Sequence, residues 1–199
     1  EVLRAVIEKY QLAEPDIDFI IGGNAVGGGG NMTRLAALTA GIDQQVPAVT
    51  LDLQCGSALE AVTQAAAKIE SGLADLVLAG GMESSSTQPL RMWNPNHPNY
   101  EKDKVWTVAQ FVPGQQGEQV MLEGAERTVI SEQVKKEEQD FWVLESHHRA
   151  AKAAQEGILS DIQVSVAGSR KDEGIRPGTS MESLATLKPC FRENGRVTA

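Results

Sequence analysis

The sequence predicts an α/β fold, a layered sheet with helices packed on it. Apolar side chains switch repeatedly between helical and strand spacing over residues 1 to about 90. Two segments, Ile17-Asp18-Phe19-Ile20-Ile21 and Leu76-Val77-Leu78-Ala79, are nearly continuous apolar runs, as expected of strands covered on both faces. A glycine tract, Gly22 to Gly30, stands between the first of them and the next helical stretch.

The elements follow in order. Val2–Tyr10 is predicted helical, with Val2, Leu3, Val6 and Ile7 forming its apolar face. Strand Ile17–Ile21, helix Met32–Ala40, strand Ala48–Leu53, helix Ala58–Ser71 and strand Ala74–Ala79 complete an alternating core over residues 1–90. Beyond Pro89 the composition changes, and Leu90 to Pro113, bearing Pro, Asn and Trp, reads as a surface excursion or cap. Two helical stretches follow, about Gly117–Thr128 and about Glu132–Glu156, the second opened by Ser131 and ended by Gly157. Ile162 to Val166 alternates like a half-buried strand, Gly168 to Gly178 is a charged loop, and Ser180–Leu187 is a short helix stopped before Pro189. Residues 91–199 thus form a mostly helical cap with a return segment.

Composition narrows the function. The chain has 199 residues, 41% of them hydrophobic, enough for a sizeable core. A net charge of −9 argues against non-specific nucleic-acid binding and requires a local basic pocket for any anionic ligand. Arg91, Lys102, Lys104, Arg127, Lys135, Lys136, Arg170, Lys171 and Arg176 read mostly as solvated face, with one or two left for a ligand phosphate. Two cysteines, Cys55 and Cys190, give neither a disulfide framework nor a zinc site, so a reducing cytoplasm is expected. No apolar run approaches the ~20 residues that span a bilayer. The start Glu1-Val2-Leu3-Arg4 has no signal-peptide pattern, and the absence of an initiator Met leads us to expect a piece of a longer polypeptide.

Cys55 is the candidate nucleophile. It lies at a strand-to-helix junction, Thr50-Leu51-Asp52-Leu53-Gln54-Cys55-Gly56-Ser57-Ala58, where Gly56 and Ser57 permit a tight turn. Unpaired N–H groups and the helix dipole at such a place favour a thiolate. The alternative is a small buried hydrophobe, the commoner role of a free cysteine, and Cys190 in Pro189-Cys190-Phe191 is expected to be packed. Gly22 to Gly30 lacks the Gly-Lys-Ser/Thr of a phosphate loop and reads as a connection with close backbone contacts. His147 and His148, adjacent on a helix, point about 100° apart, so one is expected packed and the other solvated. Neither they nor His97 have metal-ligand spacing, and no metal is expected.

Three motifs carry a family resemblance. Gln54-Cys55-Gly56-Ser57-Ala58-Leu59-Glu60-Ala61-Val62, Ala79-Gly80-Gly81-Met82-Glu83-Ser84, and Leu187-Lys188-Pro189-Cys190-Phe191 with Gly195-Arg196-Val197-Thr198-Ala199 resemble the thiolases, the acetyl-CoA acetyltransferases. The resemblance runs the whole length, and the closing motif separates thiolases from ketoacyl synthases, which share parts of the first two. It implies a thiolase-like layered αβαβα N-terminal domain with a helical cap, lacking its first strand, and a C-terminal domain outside this chain that brings the general-base His and a second Cys. It implies acyl transfer between coenzyme A thioesters, with Cys55 taking the acyl group. It further implies that Met121 stands near the reacting thioester, Arg176 near the adenine, and Ser183 against CoA. No cofactor is held permanently; acyl-CoA and CoA are the partners, and a homodimer or homotetramer is the implied assembly. The departures are Ala58, where the family usually has Gly, and Val120, where many biosynthetic members carry His. The contrasting expectation is a non-enzymatic module that binds acyl-CoA without turning it over.

Overall fold

The computed structural model describes residues 1–107, 113, 120–191 and 193–198. The end of the predicted excursion, apart from Pro113, and the predicted helix start at Gly117 lie outside the described residues. The chain divides into two compact units, Glu1–Ala109 and Gln110–Ala199.

The first unit is built on a parallel sheet in the order β2-β1-β3, formed by β1 (Phe19–Gly23), β2 (Ala48–Leu51) and β3 (Val77–Gly81). Helix α1 (Val2–Tyr10) precedes the sheet, α2 (Met32–Ala40) joins β1 to β2, and α3 (Ser57–Glu70) joins β2 to β3. Alternation along β1 explains its unbroken apolar run. Ile20 packs with Ile17, Ala37, Ile42 and Val46 and partly buried Leu3 and Ile7 of α1, while the next residue, Ile21, packs with Ala61 and Ala65 of α3. Successive side chains of a strand point to opposite faces, so a strand covered on both sides has no polar position.

All three strands differ from their predicted limits. β1 and β3 are displaced about two residues toward their carboxyl ends relative to Ile17–Ile21 and Ala74–Ala79, and β2 stops at Leu51. Asp18 accounts for the late start of β1. Its carboxylate accepts the N–H groups of Leu76 and Asp75, tying the two strand entries together before the ladder begins, and these bonds hold its pKa below the ordinary carboxylate value. At the carboxyl ends, Gly22, Gly23 and Gly81 are glycines because helices lie against the backbone there, whereas a Cβ on Gly80 would meet nothing within 4 Å. A Cβ on Gly23 would sit 2.6 Å from the carbonyl carbon of Ser57, and one on Gly81 would sit 2.8 Å from the Cβ of Ala58. The Ala58 departure is therefore accommodated opposite a glycine.

The second unit contains α4 (Val120–Ser131), α5 (Lys136–Gln155), a 3₁₀ turn at Ser160–Ile162 and α6 (Met181–Ala185). The break between α4 and α5 corrects the sequence reading. Ser131 closes α4 instead of opening α5, its hydroxyl donating to Thr128 O at 3.0 Å. Gln133, at φ 55°, supplies the left-handed residue that helices commonly use to end. The Val134 N–H then reaches back to Val129 O at 3.0 Å, and Glu138 accepts the Lys135 N–H at 3.0 Å as α5 begins. The alternation at Ile162 to Val166 is not a strand either. Ile162 ends the 3₁₀ turn, and among the described residues Val166 pairs only with Ser169, across a tight turn. Lys136 pins α5 to α6 through the carbonyl of Leu184 at 2.9 Å, its Nζ held by the i,i+4 ion pair with Asp140 on α5 itself. Buried Glu126 of α4 accepts the N–H groups of Arg196 (2.8 Å) and Val197 (2.8 Å), anchoring the return segment.

Candidate active site

Cys55 is exposed, which excludes the small-hydrophobe alternative. The turn that presents it is closed entirely by its own hydrogen bonds. Asp52 Oδ1 accepts the Gln54 N–H at 2.8 Å, Leu53 O accepts the Gly56 N–H at 3.0 Å, and Gln54 O accepts the Ser57 N–H at 3.1 Å. The Ser57 hydroxyl accepts from the Leu53 N–H at 2.8 Å and donates to Gln54 O at 2.6 Å. Two corrections follow. The left-handed residue is Gln54, at φ 51°, whereas Gly56 caps α3 at φ −85°, a conformation open to any residue. The Gly56 and Ser57 N–H groups, expected to be unpaired, are consumed in the turn, and Cys55 stands one residue outside the cap. Among the described residues, no hydrogen bond holds the Cys55 N–H. A non-glycine residue held left-handed costs about 1–2 kcal/mol and persists only where its surroundings enforce it. The five bonds of this turn do so, and the result is an outward-pointing thiol on a rigid support.

A second arrangement stands at the carboxyl ends of β1 and β3. Glu83 gathers four donors: Ala25 N–H at 2.9 Å, Val26 N–H at 3.0 Å, the Asn24 amide at 3.0 Å and Ser84 N–H at 3.3 Å. Arg91 binds the other side of the same loop, donating to Val26 O and Gly27 O, both at 2.8 Å. The sequence reading of Arg91 as solvated face is corrected: it clamps the glycine tract. The clamp lines a cavity of about 340 Å³ with Gly28, Gly29, Gly30, Thr50 and Asp52. Burial raises the Glu83 pKa, but the N–H groups of Val26, Ala25 and Ser84 and the Asn24 amide outweigh it and leave it below the ordinary value. A depressed carboxyl stabilises the fold above its unfolded pKa, and that contribution is lost as pH falls through the lower folded value. Amide exchange at Ala25 and Val26 is therefore expected to accelerate, after correction for intrinsic rates, as pH falls through the acid side of the carboxylate range. In Glu83→Gln that dependence should vanish; pH-independent protection in the parent chain would contradict the clamp.

The other predicted residues lie in the second unit. Met121 is exposed, at 65%, in the first turn of α4. Arg176 and Ser183 line one cavity of about 380 Å³ with Asp140, Val143, His147, Thr179 and Leu184. Sequence reasoning read His147 only as packed or solvated and gave it no place beside Arg176. It is half-buried, and its Nδ1 accepts the Arg176 N–H at 3.2 Å, while His148 is exposed. The expected division between the two histidines is thus observed. Ser183 forms the capping box of α6, accepting the Ser180 N–H at 3.0 Å and donating to Ser180 O at 2.8 Å. Cys190 corrects the expectation of a packed residue: it is exposed, with its N–H donated to Val197 O at 2.9 Å. His97 stacks on Trp93 with ring centroids 3.9 Å apart. No group of His, Cys, Asp and Glu among the described residues is arranged to hold a metal ion, and no described helix is long and apolar enough to cross a membrane.

Comparison with known proteins gives a consistent picture. The family model described as "Thiolase, N-terminal domain" matches residues 1–199. The chain is 36% identical over 196 residues to the Staphylococcus epidermidis protein named "Putative acetyl-CoA C-acetyltransferase VraB", covering 96% of this chain and 51% of that one. Its Staphylococcus aureus counterpart is 34% identical over 198 residues, covering 96% and 52%. The chain thus spans about half the length of the curated relatives it matches. Among solved structures, the Bacillus anthracis acetyl-CoA acetyltransferase superposes with a TM-score of 0.84 at 29% identity, covering 99% of this chain and 53% of that one. Human mitochondrial 3-ketoacyl-CoA thiolase in complex with CoA gives 0.83 at 25% identity, covering 99% and 52%. With the parallel sheet, the strand-to-helix cysteine and a family match over its whole length, the chain belongs to the thiolase family, as a thiolase N-terminal domain.

Proposed function

We propose that this chain is the acyl-accepting part of an acyl-CoA C-acyltransferase, with Cys55 as nucleophile. The observation that carries the reading is the exposed Cys55 thiol on a hydrogen-bonded turn whose preceding residue, Gln54, is left-handed. The Cys55 thiolate attacks the thioester carbonyl, a new carbon–sulfur bond forms, and CoA leaves as the thiolate. In condensation the acyl group then passes to the carbanion of a second acyl-CoA, returning the Cys55 thiolate. In thiolysis of a 3-ketoacyl-CoA the Cys55 thiolate instead attacks the 3-keto carbonyl, and the carbon–carbon bond between C2 and C3 breaks. The two-carbon-shorter acyl group stays on sulfur while acetyl-CoA leaves as an enolate that takes up a proton, and free CoA thiolate then accepts the acyl group. Covalent catalysis divides one difficult exchange into two easier ones. In this reading the Cys55 N–H, which the turn does not use, donates to the carbonyl oxygen as it gains charge.

Arg176 binds the nucleotide end of CoA. A guanidinium stacks on a base and pairs with phosphate, supplying the local positive charge an acidic chain needs for an anionic ligand. Ser183 closes the same cavity through its cap, and Met121 stands beside the thioester. No permanently bound cofactor is required, and the working form is a homodimer or homotetramer in the cytoplasm.

The test is to expose the full chain to acetyl-CoA, quench in acid and map the acetyl group by peptide mass spectrometry. Acetyl on the peptide containing Cys55 is the expected result. Acetyl confined to other residues, or none at all, contradicts the assignment.

A further inference from the structure

We propose that His147 is a positioning residue for CoA recognition, holding the backbone of the Arg176 loop against α5; this rests on the reading of that cavity as the CoA site. Asp140, Val143 and His147 fall on one face of α5 by their spacing, and all three line the cavity. The opposite wall is Arg176 and Thr179 with Ser183 and Leu184 of α6. The segment carrying Arg176 has no helix or strand of its own between Gly168 and Ser180. Its own bonds near Arg176 are local, from the Thr179 N–H at 3.2 Å and the Thr179 hydroxyl at 2.8 Å, both to Arg176 O. They shape the loop without attaching it to the rest of the unit.

The attachment at Arg176 is the 3.2 Å bond from its N–H to His147 Nδ1, across 29 residues of sequence. An Nδ1 that accepts carries no proton, so the ring proton is on Nε2. Side chain and backbone of Arg176 then divide the work, the first meeting the ligand and the second taking its position from His147. A loop anchored before the ligand arrives gives up less freedom on binding, which raises affinity without a new contact.

Calorimetric titration of the full chain with CoA tests this in four forms: parent, His147→Leu, His147→Asn and Arg176→Ala. Leu keeps bulk and helix propensity but has no acceptor, and Kd is expected to rise about five- to tenfold, the worth of one hydrogen bond. Asn places Oδ1 where Nδ1 stands and should recover most of that loss. The proposal is overturned if His147→Leu leaves Kd unchanged while Arg176→Ala weakens it, or if Leu and Asn weaken it equally. If the parent does not bind CoA, or Arg176→Ala binds it as tightly as the parent, the CoA reading of the cavity itself fails and the inference falls with it.

Discussion

Cys55→Ala is expected to reduce acyl transfer by several orders of magnitude while leaving the affinity for CoA and the melting temperature nearly unchanged. The size follows from the role: removing the nucleophile of a well-studied serine protease costs on the order of 10⁶ in kcat, about as much as removing its whole catalytic set. The selectivity follows from the structure. Cys55 is exposed, so losing its sulfur leaves no buried cavity. The bonds closing the turn involve Asp52, Leu53, Gln54 and Ser57, and none uses the Cys55 side chain. CoA contacts are assigned to Arg176, far along the sequence in the second unit. Turnover measured in parallel with CoA titration and thermal unfolding separates the possibilities. A loss smaller than about tenfold would assign the chemistry elsewhere, and a falling melting temperature would make Cys55 structural.

How far the sequence carried this reading differs between elements for definite reasons. Helices α1 and α2 have the predicted limits because signals local in sequence determine them. In α2, Asn31 Oδ1 accepts the Arg34 N–H at 3.1 Å, and Gly41, at φ 90°, ends the helix. The strands moved because their ends are set by tertiary neighbours. Gly23 and Gly81 look like punctuation in sequence, yet they belong to the ladder, since only a bare backbone fits against α3. The alternation at Ile162 to Val166 reported partial burial, but a strand needs a partner, and none lies beside it among the described residues. Gln133 hid the end of α4 because left-handed residues are read from Gly and Asn.

The site divides in the same way. Cys55 stood out as a candidate from its place between an apolar strand and a helix, while the left-handed Gln54 did not, because long-side-chain residues rarely adopt that conformation. The Glu83–Arg91 clamp joins residues 57 to 65 positions from the loop they hold. His147 meets Arg176 over 29 positions. Such pairings have no periodic signature, though Glu83 immediately after a strand-ending Gly-Gly-Met was a visible cue.

Gly23→Ala is expected to cost about 3 kcal/mol or more in stability, at or above the upper end of the usual range for overpacking, and to slow acylation of Cys55 as well. The added Cβ would lie 2.6 Å from both the carbonyl carbon and the Cβ of Ser57, and 2.8 Å from the Ala58 nitrogen. Two of these three atoms are backbone, so no rotamer change relieves the contact; β1 or the start of α3 must move. Gly23 is the last residue of the central strand, paired with Leu51 on one side and Gly81 on the other, so displacing it disturbs both ladders. Displacing Ser57 instead strains its hydroxyl bonds to the Leu53 N–H and Gln54 O, the bonds that hold the turn on which Cys55 stands. Gly28→Ala is the control. It lies in the same glycine tract, but an added Cβ there meets no atom within 4 Å, and its stability should stay within about 0.5 kcal/mol of the parent. Urea unfolding of the two variants against the parent gives the difference, and iodoacetamide labelling of Cys55 reports on the turn. Equal midpoints for Gly23→Ala and Gly28→Ala would mean that the approach of α3 to the end of β1 is slack, and that the rigidity of the turn has another source.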